Sequence, residues 1–385
     1  MRPYGGPVDV TAAMSERGHE QVVLVADRAS GLRAVIAVHS TALGPSLGGI
    51  RFWRYDAEVD AIRDALALSE AMTWKASIAG LHQGGGKAVV LVDDPDVARP
   101  ESLLRALGRA IDELGGRYLA AEDVGATTRD MDVLATVTPW VTGVREDAGG
   151  SGEPSPVTAQ GVIYAMRAVV RDLDGPGATL ADRHVAIQGA GSVGRHLAGL
   201  AAQAGMAVTI ADLHDDRARA VAATVGGRVV GVDEILAVES DLLAPCALGG
   251  VLNDDSVPTL ACRAVCGAAN NQLAGAGVDE LLARRGILFV PDFVASAGGI
   301  INLAAEFTGY SRERALEQTA RIEATTAEVL ERSRRDRSTP YQVALAMARE
   351  RVATEGAGHR WEPGDPAAWT DGEPLRQLRP TSTVA

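Results

Sequence analysis

The chain has 385 residues, enough for two domains of ordinary size, and 46% apolar residues with 4% aromatics, which suits a globular protein with an aliphatic core. Thirty-seven basic and 50 acidic side chains give a net charge of −13 with no basic run, which argues against nucleic acid or an anionic membrane as partner. Cys246, Cys262 and Cys266 have no Cys/His pair nearby to complete a zinc site and read as reduced, buried thiols. No metal constellation is visible, the N-terminus lacks an apolar h-region, and no run approaches the ~18 apolar residues of a membrane span, so a cytoplasmic protein is expected.

In chain order, residues 21–26 and 32–38 are β-rich and joined by Asp27-Arg-Ala-Ser-Gly31, which predicts a hairpin. From Asp56 to about Ile78 the spacing predicts a helix with Val59, Ile62, Leu66, Ser69 and Met72 on one stripe and Lys75 in its last turn. Residues 87–92 read as a buried strand, with Gly84–Gly86 as the tight approach to it. An amphipathic helix is expected over 100–115, through Leu103, Leu104, Leu107, Ile111 and Leu114. A short strand over 118–121 then delivers Glu122 and Asp123 at its carboxyl end.

The composition turns to loop residues over 149–156, which marks a domain boundary. A helix over 157–172 follows, then apolar runs at 184–188, 207–211, 228–230, 241–244, 264–268 and 287–290 separated by helical stretches. That alternation predicts a parallel, doubly wound sheet. Helical segments over 299–335, with room for a break, and 340–354 close the sequence, with 336–356 expected back on the first domain. The Pro-, Gly- and Asp-rich stretch 357–385 is expected to be loose. The fold class is thus α/β in two domains, 1–148 for substrate and catalysis and 149–335 for the dinucleotide, with a cleft between them.

Gly189-Ala190-Gly191-Ser192-Val193-Gly194 follows the run at 184–188 and opens a helical run at 195–204, the context a dinucleotide-binding turn requires. Gly189 permits the turn, Gly191 lets a pyrophosphate approach, Gly194 allows close helix–strand packing, and the helix N-terminus offers N–H groups and a positive dipole end. Asp212 stands 18 residues beyond Gly194, where a carboxylate accepts from ribose hydroxyls. Asp215 and Asp216 would repel a 2′-phosphate, so NAD is the expected cofactor, although His214 and Arg217 weaken the argument slightly.

Lys75 and Lys87 lie twelve residues apart upstream of that turn. The run before Lys87 is no phosphate loop, because Leu81 and Ala88 stand where that motif needs Gly and Ser/Thr. Two converging lysines repel each other, and burial disfavours the charged form. Either effect brings a lysine from ~10.4 toward ~7–8, where it shuttles protons. Lys75 would keep its charge on a substrate carboxylate, and Asp123 is the natural partner for an amine proton.

Residues 20–350 resemble the Glu/Leu/Phe/Val amino-acid dehydrogenase family, closest to its leucine, valine and phenylalanine branch. The resemblance rests on Leu43-Gly-Pro-Ser-Leu-Gly-Gly49, Met72-Thr-Trp-Lys75, Gly84-Gly-Gly-Lys87, Glu122-Asp-Val-Gly125, Pro154-Ser-Pro-Val-Thr158, Ala244-Pro-Cys-Ala-Leu-Gly249, Ala268-Ala-Asn-Asn-Gln272 and Ala297-Gly-Gly299. It implies reversible, NAD-dependent oxidative deamination of an L-amino acid to a 2-oxo acid and ammonia.

By that resemblance Lys75 binds the α-carboxylate, Lys87 activates the attacking water, Asp123 exchanges protons with the amino group, and Gly48 and Gly49 let the backbone approach the substrate. Thr158, Cys246, Ala247, Ala268, Asn270 and Asn271 join Gly189, Gly191, Ser192, Val193, Gly194 and Asp212 around the cofactor. Leu47, Ala121, Ile300 and Leu303 line an apolar side-chain pocket. With no Arg or Lys for a second carboxylate, that pocket suits branched aliphatic substrates first and aromatic ones second. The sequence departs from the family at Ser296 and Glu153, where Asn is usual. Ser296 leaves room for a divergent member acting on a non-standard amine or imine in biosynthesis, and a non-catalytic NAD-binding protein is a further alternative. The hairpin offers a sheet edge, and the resemblance implies a homo-oligomer, dimer or higher.

Overall fold

The computed structural model describes residues 9–361, which fall into two compact units. The first comprises the described parts of Met1–Glu153, Leu303–Arg312 and Ala348–Ala385, and the second Pro154–Asn302 with Glu313–Met347.

The first unit runs α1 (Val10–Arg17), β1 (Gln21–Asp27), β2 (Leu32–Ser40), β3 (Ser46–Trp53), α2 (Glu58–Ile78), β4 (Gly84–Leu91), α3 (Glu101–Asp112), β5 (Tyr118–Glu122) and α4 (Thr128–Ala135). Its sheet has the order β1-β2-β4-β3-β5. The β1–β2 hairpin pairs antiparallel as its sequence predicts, whereas β3 runs parallel to both β4 and β5. Alternation along β4 sorts the two faces: Ala88 and Val90 join Leu104, Leu107 and Ile111 of α3 and Met131 and Leu134 of α4, while Val89 packs with Ala61 and Ala65 of α2. Helix α1 had no signal in the sequence reading. Asp9 caps it by accepting from Ala12 N at 3.0 Å, and Gly18 ends it in the left-handed region.

Two local readings change. Gly84–Gly86 lie inside β4 rather than before it. A Cβ on Gly85 would stand 2.1 Å from Thr73 N, and one on Gly84 would stand 1.8 Å from Ser40 O, so only glycine lets the neighbouring backbones come this near. Of the expected stripe Leu66 and Ser69 are buried, together with Ala61, Ala65, Leu68, Thr73, Ala76 and Ser77, while Val59, Ile62 and Met72 are only half-buried. Small residues win because the helix lies so close to the strand.

The second unit runs α5 (Ser155–Asp174), β6 (His184–Gln188), α6 (Ser192–Gln203), β7 (Ala207–Ala211), α7 (Asp215–Val225), β8 (Arg228–Val229), β9 (Ser240–Pro245), β10 (Cys262–Val265), α8 (Val278–Arg284), β11 (Leu288–Phe289) and α9 (Asp292–Ala295). Its six strands are all parallel, in the order β11-β10-β9-β6-β7-β8. This is the doubly wound, Rossmann-type sheet expected from the alternation, but 3-10 turns rather than α-helices cross from β8 to β9 and from β9 to β10.

Helix α10 (Gly298–Ala304), α11 (Arg312–Asp336) and α12 (Pro340–Glu355) each contain a unit division, so the chain changes unit within a helix and not at 335 or 336. Phe307 is fully buried, and Glu306 accepts from Gly143 N at 2.9 Å and Ser151 N at 2.8 Å, which ties 303–312 to the first unit. Thr339 bonds to Asp279 and Tyr341 stacks edge-on with Phe293, which holds the start of α12 to the second unit. Its end returns to α2, where Ser77 Oγ donates to Ala348 O at 2.7 Å and Arg351 donates to Ser77 O. Of the stretch expected to be loose, 362–385 lies outside the described residues, but 359–361 are held. His359 bonds to Ala42 O, and Trp361, 1% exposed, donates its backbone N–H to Thr41 Oγ1. One large indole outweighs the Gly-rich composition around it.

Candidate active site

Lys87 follows the glycine run of β4, and Asp123 follows the last residue of β5. Lys87 Nζ donates to Asp123 Oδ2 at 2.6 Å, with the lysine side chain 4% and the aspartate 14% exposed. The same carboxylate oxygen accepts from Arg51 Nε at 3.2 Å. Arg51 NH1 reaches Asp64 Oδ2 at 3.0 Å, and that oxygen also takes the Tyr55 hydroxyl. Five groups therefore form one chain, Tyr55–Asp64–Arg51–Asp123–Lys87, built from β3, the β3–α2 connection, α2, β4 and the end of β5.

Burial acts first on both catalytic candidates. It pushes the Lys87 ammonium below its ordinary range, helped by the Arg51 guanidinium and opposed by Asp123. Burial would raise the Asp123 carboxyl, but Lys87 and Arg51 outweigh it and hold it down to about 2. The sequence reading missed Arg51, Asp64 and Tyr55 and invoked repulsion between lysines. The cation set against the Lys87–Asp123 pair is Arg51. Beside the pair, burial lifts Glu122 to about 7 even though Thr128 donates to it at 3.1 Å.

Lys75 stands half-buried in the last turn of α2, as its spacing predicts. The glycines named for substrate approach also carry a packing duty. A Cβ on Gly48 would meet Gly86 O at 1.7 Å, and one on Gly49 would meet Asp123 Cβ at 2.5 Å. Tyr118 OH donates to Gly48 O at 2.7 Å, so the strands that carry Lys87 and Asp123 are drawn together by these gaps. Leu47, Ala121 and Leu303 are buried in this unit, with Leu303 close beside Gly143.

In the second unit the turn after β6 sits where strand order reverses, between β6 and β9. Gly189 takes φ +104°, and a Cβ there would stand 2.9 Å from Cys246 O. A Cβ on Gly194 would stand 1.9 Å from Gly189 O, whereas one on Gly191 would meet nothing within 4 Å. Gly191 caps α6, so open space faces the first-turn N–H groups of Ser192, Val193 and Gly194. That combination fits a dinucleotide pyrophosphate. Asp212 accepts from Ala190 N at 2.7 Å and His214 N at 2.8 Å, which fixes its carboxylate beside the turn with lone pairs to spare.

Cys246 and Ala247 follow β9, and Ala268 N donates to Pro245 O at 2.9 Å, so these segments line the same carboxyl edge of the sheet. Asn270 and Asn271 are exposed there. Asn271 adopts φ +53°, and its N–H donates to Asp292 Oδ2 at 2.9 Å. Thr158 Oγ1 donates to Pro154 O, and a Cβ on Gly299 would stand 2.5 Å from that hydroxyl. Ser296 is buried at the end of α9 and donates Oγ to Asp292 O at 2.6 Å, while Ile300 is buried in α10. Cys262 and Cys266 are buried, and burial pushes the thiols of Cys246 and Cys262 up to about 12 and about 11. Among the described residues no His/Cys/Asp/Glu group could hold a metal ion, and no helix is long and apolar enough to cross a membrane.

The chain belongs to the Glu/Leu/Phe/Val dehydrogenase family: the family's dimerisation-domain model matches residues 19–139, and its Glutamate/Leucine/Phenylalanine/Valine dehydrogenase model matches 149–216 and 209–358. Its class is that of amino-acid dehydrogenases, oxidoreductases of CH–NH2 groups that work with a nicotinamide dinucleotide. Among its relatives is a valine dehydrogenase of Streptomyces coelicolor, 46% identical over 355 residues that cover 91% of this chain and 97% of the relative. A leucine dehydrogenase of Bacillus cereus is 42% identical over 347 residues, covering 90% and 94%. The crystal structure of L-tryptophan dehydrogenase from Nostoc punctiforme superposes with a TM-score of 0.77 at 35% identity, covering 90% of this chain and 99% of that one. The chain stands in the leucine/valine dehydrogenase branch.

Proposed function

We propose that this protein catalyses the reversible, NAD-dependent oxidative deamination of an apolar L-amino acid, branched-chain first and aromatic second, to the 2-oxo acid and ammonia. The observation that carries the reading is the buried 2.6 Å contact between Lys87 and Asp123. It sets a base that burial inclines toward the neutral amine beside a carboxylate that stays ionised.

When bound, NAD supplies the acceptor for the Cα hydride. Ser192, Val193 and Gly194 would hold its pyrophosphate, Asp212 its ribose, and Thr158, Asn270 and Asn271 its nicotinamide end. Asp212, with Asp215 and Asp216 next in the chain, favours NAD over its 2′-phosphorylated form. Lys75 pairs its ammonium with the substrate α-carboxylate. Asp123 accepts a proton from the substrate ammonium, because hydride leaves only from the neutral amine. Lys87, as the neutral amine, then takes a proton from the water that adds to the iminium carbon, and loss of ammonia completes the turnover.

The buried apolar side chains Leu47, Ala121, Ile300 and Leu303 support an apolar substrate, and the valine and leucine dehydrogenase relatives support a branched one. One observation favours a second reading. The Ser296 hydroxyl is directed at Asp292 O, so a substrate head group would meet a different donor set here than an asparagine amide offers. A cytoplasmic homo-oligomer is the assembly we expect.

The test is NADH formation at 340 nm with L-valine, L-leucine, L-isoleucine, L-phenylalanine, L-tryptophan and L-methionine, in the native chain and in Ser296→Asn. Highest kcat/KM on a branched substrate supports the first reading. Silence on all six, with activity gained in the variant, discards it in favour of a non-standard amine.

A further inference from the structure

The reaction proposed above uses Lys87 and Asp123 and leaves three half-buried residues linked to that pair, Arg51, Asp64 and Tyr55, without a task. Lys87 Nζ and Arg51 Nε meet at one oxygen, Asp123 Oδ2, at 2.6 and 3.2 Å, so this carboxylate is shared by two cations. The guanidinium is forked, since its Nε goes to Asp123 and its NH1 to Asp64 Oδ2 at 3.0 Å, the oxygen that also accepts from the Tyr55 hydroxyl. The Arg51 side chain is 18% exposed. Charges along the chain alternate, with Asp64 and Asp123 negative and Arg51 and Lys87 positive. The set is neutral when Lys87 is protonated and carries one negative charge when it is not. Without Arg51, the Lys87 ammonium would face the two carboxylates without the guanidinium that opposes them, and it would hold its proton more tightly.

We propose that Arg51 is a positioning residue that holds the Asp123 carboxylate ionised and in place against Lys87 while Lys87 gives up its proton, with Asp64 and Tyr55 anchoring the guanidinium. This rests on the reading of Lys87 as the base. Arg51 separates the two proton carriers: Asp123 is still a carboxylate when Lys87 becomes the amine, so the proton Lys87 releases does not simply move to its neighbour and Asp123 is free to accept one from the substrate ammonium. The ionisable groups around Lys87 come from every element packed on it. Those that act on its charge are Asp123 after β5, Arg51 from β3 and Asp64 from α2, with Tyr55 bonded to Asp64; α2 also carries Lys75, and β5 carries Tyr118 and Glu122.

The chain contains only two lysines, Lys75 and Lys87, against 35 arginines. Full-length protein labelled with carbon-13 lysine therefore gives two side-chain signals, and Lys75→Arg assigns them. The titration of Lys87 can then be followed without turnover. Removing a neighbouring cation favours the ammonium, so Arg51→Gln should raise the Lys87 midpoint by roughly one pH unit or more. Removing a neighbouring anion does the reverse, so Asp64→Asn should lower it. Arg51→Lys, which keeps a cation there, should reverse most of the upward shift, and the basic-side rise of kcat/KM for L-valine with NAD should move with the midpoint in each variant.

Midpoints that stay put, or move the same way in both variants, overturn the proposal. So does lost activity with an unchanged pH profile, the mark of a merely structural arginine. Opposite shifts without L-valine turnover support this inference and count against the substrate reading. If Arg51→Gln does not fold, Asp64→Asn decides alone: a downward shift supports the proposal and a fixed midpoint overturns it.

Discussion

Thr73 N lies 2.1 Å from the point where a Cβ on Gly85 would stand. Each residue sits two places before a lysine, Thr73 before Lys75 and Gly85 before Lys87. The approach of α2 to β4 at this point thus sets how the two lysine-bearing segments meet. Since Gly85 and Lys87 share one face of the strand, Lys87 is directed to the α2 side, where Asp64 waits.

Gly85→Ala should therefore cost about 1–3 kcal/mol of stability, because the atom in the way is backbone and the strand and helix must part. Urea unfolding followed by circular dichroism reads the change. Activity at low temperature should fall as well, since the same displacement moves Lys87 from Asp123.

Gly191→Ala makes the opposite case. A Cβ at this position meets no protein atom within 4 Å, so the unfolding midpoint should stay within about 0.5 kcal/mol of the native value. NAD affinity, read by calorimetry, should drop at least tenfold if the open space is for the pyrophosphate. Unchanged affinity would dismiss that assignment.

Asp123→Asn should lower kcat by about 10²–10⁴-fold, the usual contribution of a positioned proton-transfer group. NAD affinity should hold, because the glycine turn proposed for the dinucleotide belongs to the other unit. A matched loss of both would point to a folding defect instead.

His19 is brought down to about 4, first by burial and then by the facing His39, whose Nδ1 is 2.7 Å from Thr73 Oγ1. The unfolded chain binds a proton here near 6.5, so stability is full above that value and drains as pH falls toward 4. The loss should reach about 2 kcal/mol by pH 5. Unfolding midpoints at pH 7.5 and pH 5 measure it, and His19→Gln should flatten the difference.

Glu122 has the contrary sign. Its folded carboxyl is lifted to about 7 by burial, then by Glu153, Asp130 and Asp123, so stability is highest when it is protonated and declines as pH rises from 4.5 through 7. Glu122→Gln should gain about 1–2 kcal/mol at pH 8 and nothing at pH 4. An equal gain at both values would mean the charge is not the cause.

Much of the architecture is legible in the chain because its signals are local. The hairpin at Gln21–Ser40, the six parallel strands, and the glycine turn after Gln188 each follow from alternation, apolar runs and the spacing of glycines. So do Lys75 at a helix end and Asp123 at a strand end. The misreadings also share a cause. Gly84–Gly86 read as an approach to a strand, because glycine signals a turn unless another backbone presses on it, and only the packing of Thr73 and Ser40 reveals that pressure. The alanine face of α2 was passed over for its larger apolar residues for the same reason.

The sequence by itself determined the strand–helix order of the second unit, the glycine turn after β6, and the identity of the lysines and the aspartate, since each is written within a few neighbouring residues. Only the tertiary structure decided what surrounds them. Arg51, Asp64, Lys87 and Asp123 come from four elements, and whether a lysine there is ammonium or amine depends on burial and on charges that the chain keeps up to 72 residues apart. Electrostatic coupling acts through space, so no stretch of sequence records it.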